Sequence, residues 1–120
     1  MASGNGILGS RALVADTPQS IAQPLNSDGV VANLNLVNRN QYEVRVSVAV
    51  TDTVNTFDDD AYYIEYNTTL YPGSALERSG ITVGAGQYIT VSANSDGVTA
   101  VAWGIHYGDP QTLPSAIPTA

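Results

Sequence analysis

The sequence predicts an all-β fold, a single antiparallel β-sandwich of jelly-roll type, and three observations carry that prediction. Residues 42–51 alternate apolar and mostly polar side chains without a slip. Successive side chains on a strand point to opposite faces, so Tyr42, Val44, Val46, Val48 and Val50 should line one face, with Glu43, Arg45, Ser47, Ala49 and Thr51 on the other. Short runs of strand-forming residues recur along the chain with Gly, Pro, Asn and Asp between them, the spacing of a sandwich. No window carries a helical period.

Taken in order, residues 1–10 hold three glycines and two serines and read as a flexible N-terminal arm. The sandwich domain should span 11–107, opening on a short strand at 11–16. Residues 17–24, with Pro18 and Pro24, read as an irregular connection. Residues 26–30 are Asn-Ser-Asp-Gly-Val, and the same five recur at 94–98. Asn, Ser and Asp close turns with their own side chains and Gly takes the positive φ that follows, so both copies read as turns feeding strands. The flanking residues show no wider duplication.

The first turn feeds a strand at 30–38, on which Val30, Ala32, Leu34, Leu36 and Asn38 share a face. Asn38, Arg39 and Asn40 then read as the turn of a hairpin into the strand that begins at Tyr42. A polar loop covers 53–60. Further strands are expected at 62–69, 75–78, 81–83, 88–93 and 98–107. Residues 108–120, with Pro110, Pro114 and Pro118, read as an extended tail.

Composition limits the function classes. A chain of 120 residues is one domain that buries roughly two-thirds of its unfolded surface. There is no cysteine, so stability must come from packing and sheet hydrogen bonds. Four arginines, no lysine and eleven acidic residues leave a net charge of −7, the wrong sign for a nucleic-acid surface. Only 12% of residues are charged, against about 25% in ordinary domains. Thirty Ser, Thr and Asn residues fill the polar positions instead, which suits a surface that packs against another protein. The first residues lack the basic and apolar regions of a secretory signal, and no apolar run is long enough to span a bilayer, so a soluble product with no membrane partner is expected.

Candidate chemistry is sparse. The one histidine, His106, has no cysteine, lysine or G-x-S-x-G nucleophile to work with and reads as a surface residue at a strand end. Asp58, Asp59 and Asp60, with Glu65 beyond them, lack the order and glycine of a calcium loop and read as a solvated acidic loop. No enzyme activity, metal or cofactor is expected. Asn67-Thr68-Thr69 fits a glycosylation acceptor, which has no consequence without secretion.

The aromatic residues carry the functional signal. Tyr62, Tyr63, Tyr66, Tyr71, Tyr88, Trp103 and Tyr107 crowd the second half. In a regular strand Tyr62, Ile64 and Tyr66 share one face and Tyr63 and Glu65 the other, so at least one ring must lie outside the local core. Such rings serve at subunit interfaces or as sugar platforms. Tyr62, Tyr63, Tyr66, Tyr71, Trp103 and Tyr107 are the candidate interface.

The run from Tyr63-Ile64-Glu65-Tyr66 through Leu76-Glu77-Arg78-Ser79-Gly80-Ile81 to Ala85-Gly86-Gln87 resembles small virion structural proteins of tailed bacteriophages. Those proteins similarly run from "YIEY" through an "LER-G-I" turn and an "AGQ" turn to a last strand ending near "WGI". Leu34 to Asn40 also looks like their "N-I-V-N-R" strand and turn. The likeness covers roughly residues 30–106. It implies a β-sandwich on the outer capsid surface, a decoration (cement) protein made in the host cytoplasm, with the major capsid protein as partner and self-association as a trimer or dimer. The two terminal segments would be arms that clamp to neighbours. It offers no catalytic residue. The alternative is a tail-fibre or baseplate module that binds a host receptor or glycan.

Overall fold

The structure, a computed structural model, describes residues 6–24 and 28–108. Eight strands fill it: β1 (Gly6–Ala12), β2 (Gln19–Ala22), β3 (Gly29–Asn38), β4 (Val44–Thr51), β5 (Tyr63–Leu70), β6 (Ala75–Gly84), β7 (Tyr88–Ala93) and β8 (Val98–Tyr107). They form two four-stranded sheets, ordered β1-β8-β3-β6 and β2-β7-β4-β5, with every pair antiparallel. Each step along the chain crosses to the other sheet except β4 to β5. That nesting is a jelly roll.

The alternation seen in the sequence explains the core. Val30, Ala32, Leu34 and Leu36 of β3, with Val98, Ala100 and Ala102 of β8, are buried from one sheet, and Val44, Val46 and Val48 of β4, with Ile89 and Val91 of β7, from the other. Burying each Val, Leu or Ile contributes roughly 1.5–3 kcal/mol. The one ion pair among the described residues, Arg78 Nη1 to Glu65 Oε2 at 2.9 Å, is of a kind worth at most about 1 kcal/mol at a surface, so packing dominates. That pair links β6, an edge of the first sheet, to β5, an edge of the second. The opposite flank closes by backbone approach: a Cβ on Gly9 of β1 would collide with the Ile21 carbonyl of β2.

Several expectations are corrected. The hairpin at 38–40 is a corner between sheets, since β3 and β4 lie in different ones. Asn38, fully buried, makes the corner possible: its Nδ2 donates to the Tyr42 carbonyl (2.8 Å) and the Leu70 carbonyl (2.9 Å), and its Oδ1 accepts from the Asn40 amide. Tyr42 leaves the core face and is exposed, its hydroxyl bonded to Ser95 Oγ.

Residues 6–10 of the expected arm belong to β1, where a bulge at Leu8 hides the alternation. The expected strand at 11–16 is therefore displaced. The connection at 17–24 contains the short strand β2, bounded by Pro18 and Pro24. The expected strands at 75–78 and 81–83 are one strand, β6, bent where Gly80 takes φ 69° and the register against β3 slips. The tail's residues 109–120 and positions 26–27 of the first repeated turn lie outside the described residues.

Candidate functional site

The first sheet turns a bare apolar face outward. In the ladder Ile7 lies opposite Trp103, and Val31 opposite Ile105. The residues between them point into the core, so these side chains point out. Ile7 is 72% exposed, Ile105 60%, Val31 44% and Tyr107 42%, with Trp103, Val101 and Val37 half-buried beside them. Among the outward positions of the paired strands, Glu77 alone is charged. Soluble surfaces keep contiguous apolar patches small, and a larger one marks a contact site.

The second sheet's outer face is covered at one end, while Arg45 at the other end is exposed and Ser47 half-buried. Ala49, Thr51 and Thr90, which alternation assigns to that face, are fully buried where the segment after β4 returns to the sheet through Thr53 and Asn55. Asn55 Oδ1 accepts from the Ser20 amide and the Asn55 amide donates to Ser20 Oγ, both at 2.8 Å. Ser20 Oγ, Thr90 Oγ1 and Thr51 Oγ1 then follow one another at 2.8 Å, and Thr51 Oγ1 donates to the Thr53 carbonyl at 2.9 Å. A hydroxyl has one proton, so the last bond fixes the direction of the rest. Thr90 donates to Thr51 and Ser20 donates to Thr90. The chain runs one way from Asn55 to Thr53, an arrangement in which each bond polarises the next.

The rest of the covering segment satisfies itself. Asp58 Oδ2 accepts from the Asp52 amide, Asp59 Oδ1 accepts from Ala61 N to cap the single-turn 3-10 helix Asp60–Tyr62, and the Tyr62 hydroxyl donates to Asp52 Oδ2 at 3.0 Å. The Asp52 hydrogen bond, and then its charge, raises the Tyr62 phenol above its ordinary value.

The six candidate aromatic residues separate. Trp103 and Tyr107 lie on the bare face. Tyr71 is exposed at the corner between β5 and β6. Tyr62 is tied to Asp52. Tyr63 and Tyr66 come together, against regular alternation, with ring centroids 4.9 Å apart at 72°. The cause is that β5 carries extra residues against β4: Val46 pairs with Thr68 but Val48 with Glu65, and Ala49 with Tyr63. Asn67 takes φ 51° there, a left-handed conformation that Asn tolerates best after Gly. Its amide donates to Ser47 Oγ at 2.9 Å, and its carbonyl accepts from Arg45 Nη1. Phe57, which the sequence did not single out, stacks behind Tyr63 at 5.1 Å. A cleft of about 320 Å³ opens against Tyr63, Tyr66 and Asp60. Burial first, then Tyr66 and the charge of Asp60, raises the Tyr63 phenol.

A second cleft of about 300 Å³ lies between β1, β2 and the covering segment, with Leu8, Arg11, Gln23, Val54 and Tyr88 in its lining. His106 stands at the end of β8 as expected, paired with Val30 in the ladder, but is half-buried. Among the described residues no three His, Asp or Glu side chains gather as metal ligands. No helix among them is long and apolar enough to cross a membrane.

Fold and surfaces together define a jelly-roll domain with one bare and one partly covered outer face. Comparison with protein families, curated proteins and solved structures finds no match to this chain.

Proposed function

We propose that this chain is a structural protein of a tailed-phage virion, a decoration module that docks on coat subunits of the head through the outer face of its first sheet. The observation that carries the reading is that face, where Ile7, Val31, Val101, Trp103, Ile105 and Tyr107 point outward around Asn33 and Asn35, and where Glu77 is the one charged side chain at the outward strand positions. Three ten-residue strands and one of seven, at about 3.3 Å per residue and about 4.8 Å apart, give roughly 600 Å² in projection, near the roughly 800 Å² per partner of a stable interface. The net charge of −7 opposes a second copy as the occupant, because two such chains repel before they touch. A coat lattice carries no such requirement. Jelly rolls recur in capsid proteins, lectins and cupins, so the fold admits the reading without deciding it.

The test is the ratio of this chain to the major coat protein in purified particles, measured by quantitative mass spectrometry, together with the binding of a Val31→Ser/Ile105→Ser variant to particles that lack the chain. A fixed ratio near that of the coat subunits, and loss of binding by the variant, support the proposal. A few copies per particle would move the chain to the tail and favour a receptor-binding module. Doubling or tripling of the free chain's mass in solution, abolished by the variant, would instead make the face a self-association surface.

A further inference from the structure

We infer that the cleft bounded by Tyr63, Tyr66 and Asp60 is a binding subsite for a neutral pyranose. This goes beyond the docking role and does not depend on it, since the cleft lies on the other sheet.

The first support is hydrogen bonding. Asp52, Asp58, Asp59 and Tyr62, all within the same stretch, have partners inside the protein. The Asp60 carboxylate and the hydroxyls of Tyr63 and Tyr66 have none among the described residues. These three residues line one cleft, and no hydrogen bond among the described residues uses their polar groups, while their neighbours are spent on the fold.

The second support is that the cleft is built rather than incidental. Regular alternation would set Tyr63 and Tyr66 on opposite faces, and two register slips of β5 against β4, one at Tyr66 and Asn67 and one at Ile64, bring them together. Ser47 and Arg45 hold that bulge from the neighbouring strand, and Phe57 backs the Tyr63 ring. The Tyr66 ring, edge-on to Tyr63, remains 69% exposed and offers an aromatic wall to solvent.

Ligand class follows from the chemistry of the lining. An aromatic face is electron-rich and attracts the polarised C–H groups on the flat side of a pyranose. A carboxylate beside it accepts the ring hydroxyls in charge-assisted bonds. Tyr63, its proton held by burial and by the nearby charges, supplies a donor. No basic side chain lines the cleft, and Asp58 and Asp59 precede Asp60 in the chain, which disfavours uronic, sialic or phosphorylated sugars. A cage for a quaternary ammonium needs rings on several sides. Here only two line the space, with Phe57 standing behind one of them. The volume of about 320 Å³ is at the small end for ligand sites, which run from about 300 Å³, and suits one or two sugar rings.

The experiment is saturation-transfer NMR on the full chain with four probes: the methyl glycosides of glucose, galactose, mannose and N-acetylglucosamine. Tetramethylammonium and glucuronate serve as charged comparisons. At least one neutral glycoside should receive transfer at its ring C–H protons, and Tyr66→Ala should weaken its binding about tenfold, the loss of one stacked ring. Asp60→Asn should weaken it too. Both positions are exposed, and an unchanged melting curve verifies that the variants fold. Transfer to none of the four glycosides overturns the inference. Transfer that survives Tyr66→Ala, or a response to tetramethylammonium alone, overturns it as well.

Discussion

The two outer faces of this sandwich are made from the same alternating strands, yet one is bare and the other is roofed at one end. On the first sheet, β8 places Val101, Trp103, Ile105 and Tyr107 outward, and nothing among the described residues covers them. On the second, β4 places Ala49 and Thr51 outward, and both are sealed from water. The difference lies in the connections. Most are short corners between sheets, such as 71–74, 85–87 and 94–97. The β4–β5 connection joins neighbours in one sheet, and its residues 52–62 are far more than that turn needs. The surplus lies across the sheet. Alternation thus fixes which side chains face outward, and loop length decides which of those meet water.

The sharpest way to break the comparison is to cut what holds the roof. Thr90→Val keeps the shape of the side chain and suits a strand, but removes the middle link between Ser20 and Thr51. Ser20, half-buried, loses its acceptor, and Thr51, fully buried, loses its donor. The expected cost is about 1–3 kcal/mol, read as a lower midpoint in urea. Ser20→Ala in the same background should add less than it costs alone, because the chain is already broken. A Thr90→Val variant as stable as the parent would show that residues 52–62 merely rest on the sheet.

The bare face should answer oppositely. Ile105→Ser removes an apolar side chain that is mostly in water already, so its effect on stability should stay within about 0.5 kcal/mol. Solubility should rise as the patch shrinks, measured by the concentration at which the chain precipitates. A loss of several kcal/mol would mean that the described residues do not show what covers Ile105, and the contrast between the faces would fail.

The same contrast shows what alternation can and cannot convey. Strands β3, β4, β7 and β8 were legible because Val30 to Leu36, Val44 to Val48, Ile89 to Ala93 and Val98 to Ala102 alternate cleanly, and β3 against β8 and β4 against β7 pair without a slip. The bare face was partly legible too, since Val101, Trp103 and Ile105 make residues 98–107 apolar on both sides. What failed depends on contacts distant in sequence. Gly9 reads as flexibility until the Ile21 carbonyl is seen against it. Asn38 reads as a hairpin turn until its amide is found bonding to Leu70. The meeting of Tyr63 and Tyr66 needs two slips of register that no local pattern in β5 announces. A bulge changes the parity of everything beyond it, so one unseen residue moved an aromatic ring to the other face.

The smallest expected effect tests how tightly the roof sits, through the ionisation of Tyr63. Its phenol is raised in the folded protein, by burial first and then by Tyr66 and the Asp60 carboxylate. An unfolded tyrosine loses its proton near pH 10, about where folding still holds the proton on Tyr63. Just above that pH the folded chain therefore binds more protons than the unfolded one, and stability falls as pH rises. The contribution is complete below about pH 10 and is lost on the way up to the folded-state value. Tyr63→Phe keeps the ring between Phe57 and Tyr66 and deletes the titration. Melting curves of parent and variant should then run parallel at neutral pH and diverge above pH 10, with the parent the less stable. Tyr62, raised chiefly by its bond to Asp52, adds a similar alkaline loss that the variant retains, so the curve should flatten without becoming level. If the two chains lost stability equally in alkali, the Tyr63 ring would not be enclosed. The covered face would then be covered only over Thr51 and Thr90, where the hydroxyl chain alone holds the segment down.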